Sequence, residues 1–195
     1  MHTLIGKKAP NFTASAAIGQ EIIHDFSLEN LLGKYVVLFF YPLDFTFVCP
    51  TELHAFQHAL GEFHERNAEV LACSVDSAFC HHAWLKTPKN LGGIEGVSYP
   101  LISDINKQIS RDYGVLSEEQ GISFRGLFLI DKQGIIHHQI INNLPLGRDV
   151  NETLRILDAL IYFEENGEVC PANWKAGKVA MQANHSGLEK YFAEH

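Results

Sequence analysis

The chain has 195 residues, 46% hydrophobic and 19% charged, which suits one packed globular domain and excludes a disordered or fibrous one. With 15 basic and 23 acidic residues its formal charge is −8, so it lacks the positive field that a nonspecific grip on nucleic acid needs. The longest apolar run, Tyr35 to Pro42, is far short of the roughly 20 residues that cross a bilayer, and Met1 to Lys8 show no leader pattern, so a cytoplasmic protein is expected.

Tyr35 to Tyr41 (YVVLFFY) is a short run rich in β-branched and aromatic residues, preceded by Gly33 and closed by Pro42, and predicts a buried central strand. After the loop Asp44 to Val48, the residues Leu53, Phe56, Leu60 and Phe63 recur at three- and four-residue spacing, one face of an amphipathic helix. Glu69 to Val75 predicts a second strand, and Ser77 through Lys86 a helix ended by Thr87 and Pro88. Phe124 to Ile130 and Ile135 to Ile141, joined by Asp131-Lys132-Gln133-Gly134, predict a β-hairpin. Val150, Leu154, Leu157 and Ile161 mark another amphipathic helix. Beyond Gly167 the apolar period fades through Pro171, Gly177 and Gly187, so residues 166–195 are expected as an arm on a domain of residues 1–165. This order predicts an α/β fold with a mixed sheet, best fitted by a thioredoxin-like sandwich with an extended C-terminal arm.

Four cysteines, Cys49, Cys73, Cys80 and Cys170, in a chain able to build its own core point to redox chemistry or burial rather than to a disulfide framework. Cys49 lies between the buried strand and the first helix and is followed by Pro50, a residue favoured in a first turn because it has no N–H to leave unpaired. Unpaired backbone N–H groups and the positive end of the helix dipole favour a thiolate there. Cys170 also precedes a proline, amid the polar Glu168, Asn173 and Lys175, and is expected as an exposed thiol suited to disulfide formation within or between chains. Cys73 in its apolar strand is expected as a core residue. Cys80 with His81 and His82 suggests metal ligands, but adjacent helical residues point about 100° apart, so a solvated or interface helix face is expected and no metal or other cofactor.

Phe40-Tyr41-Pro42-Leu43-Asp44-Phe45-Thr46-Phe47-Val48-Cys49-Pro50-Thr51-Glu52 resembles the active-site segment of the typical two-cysteine peroxiredoxins. The resemblance continues, in order, through Ser74 to Ser77, Gly121 to Phe128, Leu144 to Arg148 and Gly167 to Ala172. It implies Cys49 as peroxidatic nucleophile, Cys170 as resolving cysteine, Pro42, Thr46 and Arg125 as the other active-site members, and Glu52 and Arg148 as a supporting charged network. It further implies peroxide as substrate, thioredoxin or a similar dithiol as reductant, a homodimer whose resolving thiol comes from the partner subunit, and a ring of five dimers. Gly92-Gly93-Ile94-Glu95-Gly96 departs from the Gly-Gly-Leu-Gly of peroxide-sensitive members at Glu95, whereas Tyr191 and Phe192 match the tail half of that signature. A holdase chaperone or redox relay is the alternative on the same fold. A cysteine hydrolase would need a base, for which His54 is a candidate only by proximity.

Overall fold

The computed structural model describes Thr3 to Glu194, the side chain of Glu194 excepted. Compactness divides the chain after Arg148 into two units. The first holds strands β1 (Thr13–Ile18), β2 (Glu21–Ser27) and β3 (Tyr35–Phe40), helices α1 (Cys49–His58) and α2 (Leu60–Glu65), strand β4 (Ala68–Ser74), helix α3 (Ala78–Leu85) and strand β5 (Leu101–Ser103). Helix α4 (Gln108–Asp112), the short strands β6 (Leu116–Ser117) and β7 (Ile122–Ser123), and strands β8 (Arg125–Ile130) and β9 (Ile136–Asn142) complete it.

Seven strands form one sheet in the order β2-β1-β5-β4-β3-β8-β9. The pairs β3–β4 and β4–β5 are parallel and the others antiparallel, the mixed sheet expected from the sequence. β3 is central, and every one of its residues is buried because both faces of the sheet are covered. Val36, Leu38 and Phe40 join Ile109 and Tyr113 from α4 and its end in one core cluster. Phe39, between them, points the other way and stacks on Phe56 of α1 with ring centroids 4.3 Å apart. Leu53, Phe56, Leu60 and Phe63 are all buried, so the predicted helical face is real, although the backbone turns at Ala59 and divides it into α1 and α2.

The Ser77 hydroxyl accepts the Cys80 N–H at 3.2 Å and so caps α3, which ends before Pro88 as the sequence predicts. The predicted hairpin is β8–β9: the Asp131 carboxylate accepts the N–H groups of Gln133 and Ile135, both at 2.8 Å, and Gly134 adopts φ +84°, a left-handed conformation that costs glycine little. β1, β2 and β5 were not expected.

The second unit starts with α5 (Val150–Asn166), whose N-terminus is capped by the Asp149 carboxylate accepting the Asn151 N–H at 2.8 Å and whose end is Gly167 at φ +68°. The expected boundary between residues 165 and 166 falls at the end of this helix. The chain then folds back on itself: Val169 and Met181 exchange backbone hydrogen bonds of 2.9 and 3.1 Å, and the buried Trp174 packs 5.0 Å from the Tyr162 ring of α5. Helix α6 (His185–Glu194) follows, within the residues expected as an arm. Among the described residues no helix is long and apolar enough to cross a membrane.

Candidate active site

Cys49 is the first residue of α1, reached from the carboxyl end of β3 through the turn that holds Pro42, which is buried. Crevices outside the carboxyl ends of parallel strands are the usual place for chemistry in such sheets. The Cys49 side chain is 0% exposed. Among the described residues its sulfur has two polar partners, the Thr46 hydroxyl at 2.9 Å and Nη1 of Arg125 at 3.4 Å. The Thr46 oxygen also lies 2.8 Å from the Leu43 carbonyl, so its single proton can serve the carbonyl or the sulfur, and its lone pairs remain available to accept.

Arg125 opens β8, which is far from β3 in sequence but pairs with it in the sheet. Its Nε donates to the Leu144 carbonyl at 2.6 Å and its Nη1 to Oε2 of Glu52 at 2.7 Å. Glu52 lies three residues after Cys49 on α1, so its carboxylate is about one turn from the sulfur. Arg148 closes the cluster: its Nε and backbone N–H donate to Oε1 of Glu52 at 2.7 and 2.9 Å, and its Nη2 to Oε2 at 2.8 Å. The other Arg148 nitrogen, Nη1, reaches the carbonyls of Phe40 at 2.8 Å and Gly126 at 2.6 Å. All three side chains are almost wholly buried. Two guanidiniums and one carboxylate leave one net positive charge beside the sulfur, which a thiolate would balance.

The structure therefore brings together Cys49, Thr46, Arg125, Glu52 and Arg148, with Pro42 in the same turn. Cys170 belongs to the second unit. It is half-buried rather than exposed, because the Val169–Met181 bridge folds it back until its thiol donates to the Ala159 carbonyl of α5 at 3.6 Å. Burial pushes that thiol up, the Arg155 guanidinium opposes the shift and the Glu168 carboxylate adds to it. His54 does not face the Cys49 sulfur as a base: its Nε2 lies 3.1 Å from the Gly93 carbonyl.

The suggested metal ligands do not assemble around the histidines. Nδ1 of His81 lies 2.8 Å from the Asp44 carboxylate and its Nε2 donates to the Ile102 carbonyl at 3.2 Å, while Nε2 of His82 lies 2.9 Å from the Gln20 carbonyl. Cys80 instead comes within 4.8 Å of carboxylate oxygens of Asp44 and Asp76, which the sequence spacing did not suggest. Those carboxylates already accept from Tyr41, Ser74 and the Asp44 N–H, at 2.7 to 2.9 Å. Sequence reasoning also missed the carbonyls of Leu144, Phe40 and Gly126 that fix the two arginines. A backbone carbonyl is present at every position, so no residue pattern could have singled them out.

Residues 5–139 match the AhpC/TSA family model, and residues 159–194 match that of the C-terminal domain of 1-Cys peroxiredoxin. A thioredoxin peroxidase of Echinococcus granulosus is 49% identical over 99% of this chain and 100% of its own. The chloroplastic 2-Cys peroxiredoxin BAS1 of Hordeum vulgare is 53% identical over 97% of this chain and 90% of its own. The crystal structure of reduced Plasmodium vivax 2-Cys peroxiredoxin superposes with a TM-score of 0.95 at 49% identity, covering 98% of this chain and 100% of that one. The chain belongs to the AhpC/TSA family and is a 2-Cys peroxiredoxin.

Proposed function

We propose that this thiol peroxidase uses Cys49 as its peroxidatic nucleophile and Cys170 as its resolving thiol. The Cys49 thiolate attacks the terminal oxygen of a hydroperoxide, the O–O bond breaks, and the departing alkoxide or hydroxide takes a proton to leave as alcohol or water. The Cys49 sulfenic acid then condenses with the Cys170 thiol, releasing water and forming a disulfide. A dithiol reductant opens it. Two relatives carry the names thioredoxin peroxidase and, in Pongo abelii, thioredoxin-dependent peroxide reductase, and a thioredoxin-like protein is the reductant we infer here.

The observation that carries this reading is the buried Cys49 sulfur between the Thr46 hydroxyl at 2.9 Å and the Arg125 guanidinium at 3.4 Å. Thiolate formation by itself would not suffice. For any thiol, lowering the pKa from about 8.5 to about 6 raises the thiolate fraction at pH 7 roughly thirtyfold. Nucleophilicity falls along a Brønsted slope near 0.4 to 0.5, which forfeits roughly ten- to twentyfold of that gain. The remaining acceleration is assigned to Arg125 and Thr46, which can hold the peroxide in line and stabilise the charge growing on the leaving oxygen. Pro42 shields the sulfur without competing as a donor.

We place Cys170 on the partner subunit of a homodimer. In support, β9 is the last strand of the sheet: Gly6, Lys7 and Lys8 bond its outer edge at Ile135 and Ile136, but beyond these, among the described residues, no other strand pairs with that edge and Ile140 is exposed, the kind of edge that a second copy covers. A ring of five dimers would cover the exposed aromatic side chains Phe45, Phe47 and Phe79, of which Phe47 is 93% exposed. The cytoplasm is the compartment we infer, a reducing one that suits four cysteines all free in this structure.

The test is single-turnover chemistry. Cys49→Ser is expected to abolish peroxide consumption, and Cys170→Ser to permit one oxidation that stops at sulfenic acid. After peroxide the parent chain should run as a disulfide-linked dimer on non-reducing electrophoresis. Unchanged turnover in Cys49→Ser would overturn the assignment of the nucleophile, and an oxidised monomer that has lost both thiols would overturn the intersubunit bond.

A further inference from the structure

One flank of α1 is bonded to the segment from Gly92 to Tyr99. The Leu53 carbonyl accepts the Tyr99 hydroxyl at 2.7 Å, and Oε1 of Gln57 accepts the Ser98 N–H at 2.8 Å. Between these, Nε2 of the His54 ring meets the Gly93 carbonyl at 3.1 Å. A carbonyl only accepts, so Nε2 carries the proton and donates. His54 is 9% exposed, and no catalytic step described above uses it.

The wall that His54 is tied to has little slack. The Trp84 indole donates to the Gly92 carbonyl at 2.9 Å, and the N–H groups of Ile94 and Glu95 donate to the carbonyls of Trp84 and Thr87 at 3.3 and 3.1 Å. A Cβ on Gly93 would lie 1.9 Å from the Thr87 oxygen, so only glycine fits against the end of α3. Ile94 is completely buried. Motion of α1 must therefore break its bonds to this segment instead of carrying the segment along.

Such motion is required. Cys49 is fully buried in the first turn of α1, and a disulfide needs its sulfur about 2 Å from another, so the turn has to lift or unwind before the bond can form. We infer that the His54–Gly93 hydrogen bond is the latch that sets how often α1 opens, and hence how quickly a sulfenic acid at Cys49 is captured. This rests on the roles proposed for Cys49 and Cys170. One such bond changes the opening equilibrium roughly two- to tenfold, while the Tyr99 and Gln57 ties keep the helix docked.

The experiment pairs amide hydrogen exchange of α1 in the reduced protein with stopped-flow measurement of sulfenic acid and disulfide formation after hydrogen peroxide. His54→Phe keeps a ring of similar size and removes the donor; His54→Gln restores a donor. The expected result for His54→Phe is exchange across Leu53 to His58 and disulfide formation both faster by about two- to tenfold, with the first oxidation of Cys49 unchanged. His54→Gln should return both rates toward those of the parent. Unchanged exchange, faster exchange without faster disulfide formation, or equal behaviour of the Gln and Phe variants would each overturn the inference. Should His54→Phe not fold, His54→Leu makes the same loss in a smaller side chain. A parent chain whose Cys49 resists peroxide altogether would defeat the proposed function, and the exchange rates would still decide the bond.

Discussion

Replacing Glu52 by Gln removes the charge at the centre of the active-site cluster and keeps its shape. Oε1 of Glu52 accepts the Arg148 backbone N–H and Nε, and Oε2 accepts Nη1 of Arg125 and Nη2 of Arg148, four bonds of 2.7 to 2.9 Å. Whichever way the amide turns, its nitrogen faces two of these donors, so two of the four bonds become donor against donor. Two buried guanidiniums are also left without their counter-charge. Breaking a buried ion pair from one side costs about 3 to 5 kcal/mol. Taking about 3 kcal/mol, the folding constant of Glu52→Gln falls roughly a hundredfold or more. Urea unfolding followed by circular dichroism at fixed protein concentration reads this directly, and a double-mutant cycle with Arg148→Met should recover much of the loss. A Glu52→Gln protein within about 0.5 kcal/mol of the parent would refute the view that this carboxylate holds the two arginines in place.

Thr46→Val, which keeps the shape and removes the hydroxyl, is expected to slow peroxide reduction by about 10² in stopped-flow assays, with Thr46→Ser recovering most of it; equal rates for the Val variant and the parent would remove Thr46 from the mechanism. Arg125→Lys keeps the charge but cannot serve the Leu144 carbonyl, Glu52 and the Cys49 sulfur together, and a loss of about 10² is again expected; a Lys variant as fast as the parent would show that charge alone suffices. Burial, followed by the carboxylates of Asp44 and Asp76, pushes the Cys80 thiol up to about 12. The folded chain thus keeps a proton that the unfolded chain loses above about pH 8.5. This contribution to stability is complete below that pH and lost as pH rises toward about 12. Urea midpoints between pH 8 and 10.5 should therefore fall more steeply for the parent than for Cys80→Ala, and parallel curves would contradict the shift.

Legibility in the sequence followed burial. β3 could be read because each of its residues is buried, and the α1–α2 face because Leu53, Phe56, Leu60 and Phe63 keep helical spacing across the turn at Ala59. β1 and β2 could not: Thr13 to Ile18 is mostly small residues, and β2 is an edge strand with none of its residues fully buried, so neither gives an apolar run or a clean alternation. Three-residue β5 is too short for a period, and α6 lies largely exposed. At the site, Cys-Pro after a strand was enough to seat Cys49 at a helix start. The bonds to Leu144, Phe40, Gly126 and Gly93 join residues far apart in sequence through backbone carbonyls, which leave no mark on residue choice.

The last paired residues of β3 and β8 are Phe39 and Leu127; one step further on, the facing carbonyls of Phe40 and Gly126 are both taken by the same nitrogen of Arg148. The guanidinium thus acts as an extra rung where the two strands splay apart. An engineer transplanting this reaction centre to another scaffold would need the splayed strand pair as well as the side chains, since without those two carbonyls the arginine loses its anchor. The same rung means that selection for a firmer sheet and selection for a well-aimed charge fall on one residue, and neither can be tuned there without disturbing the other.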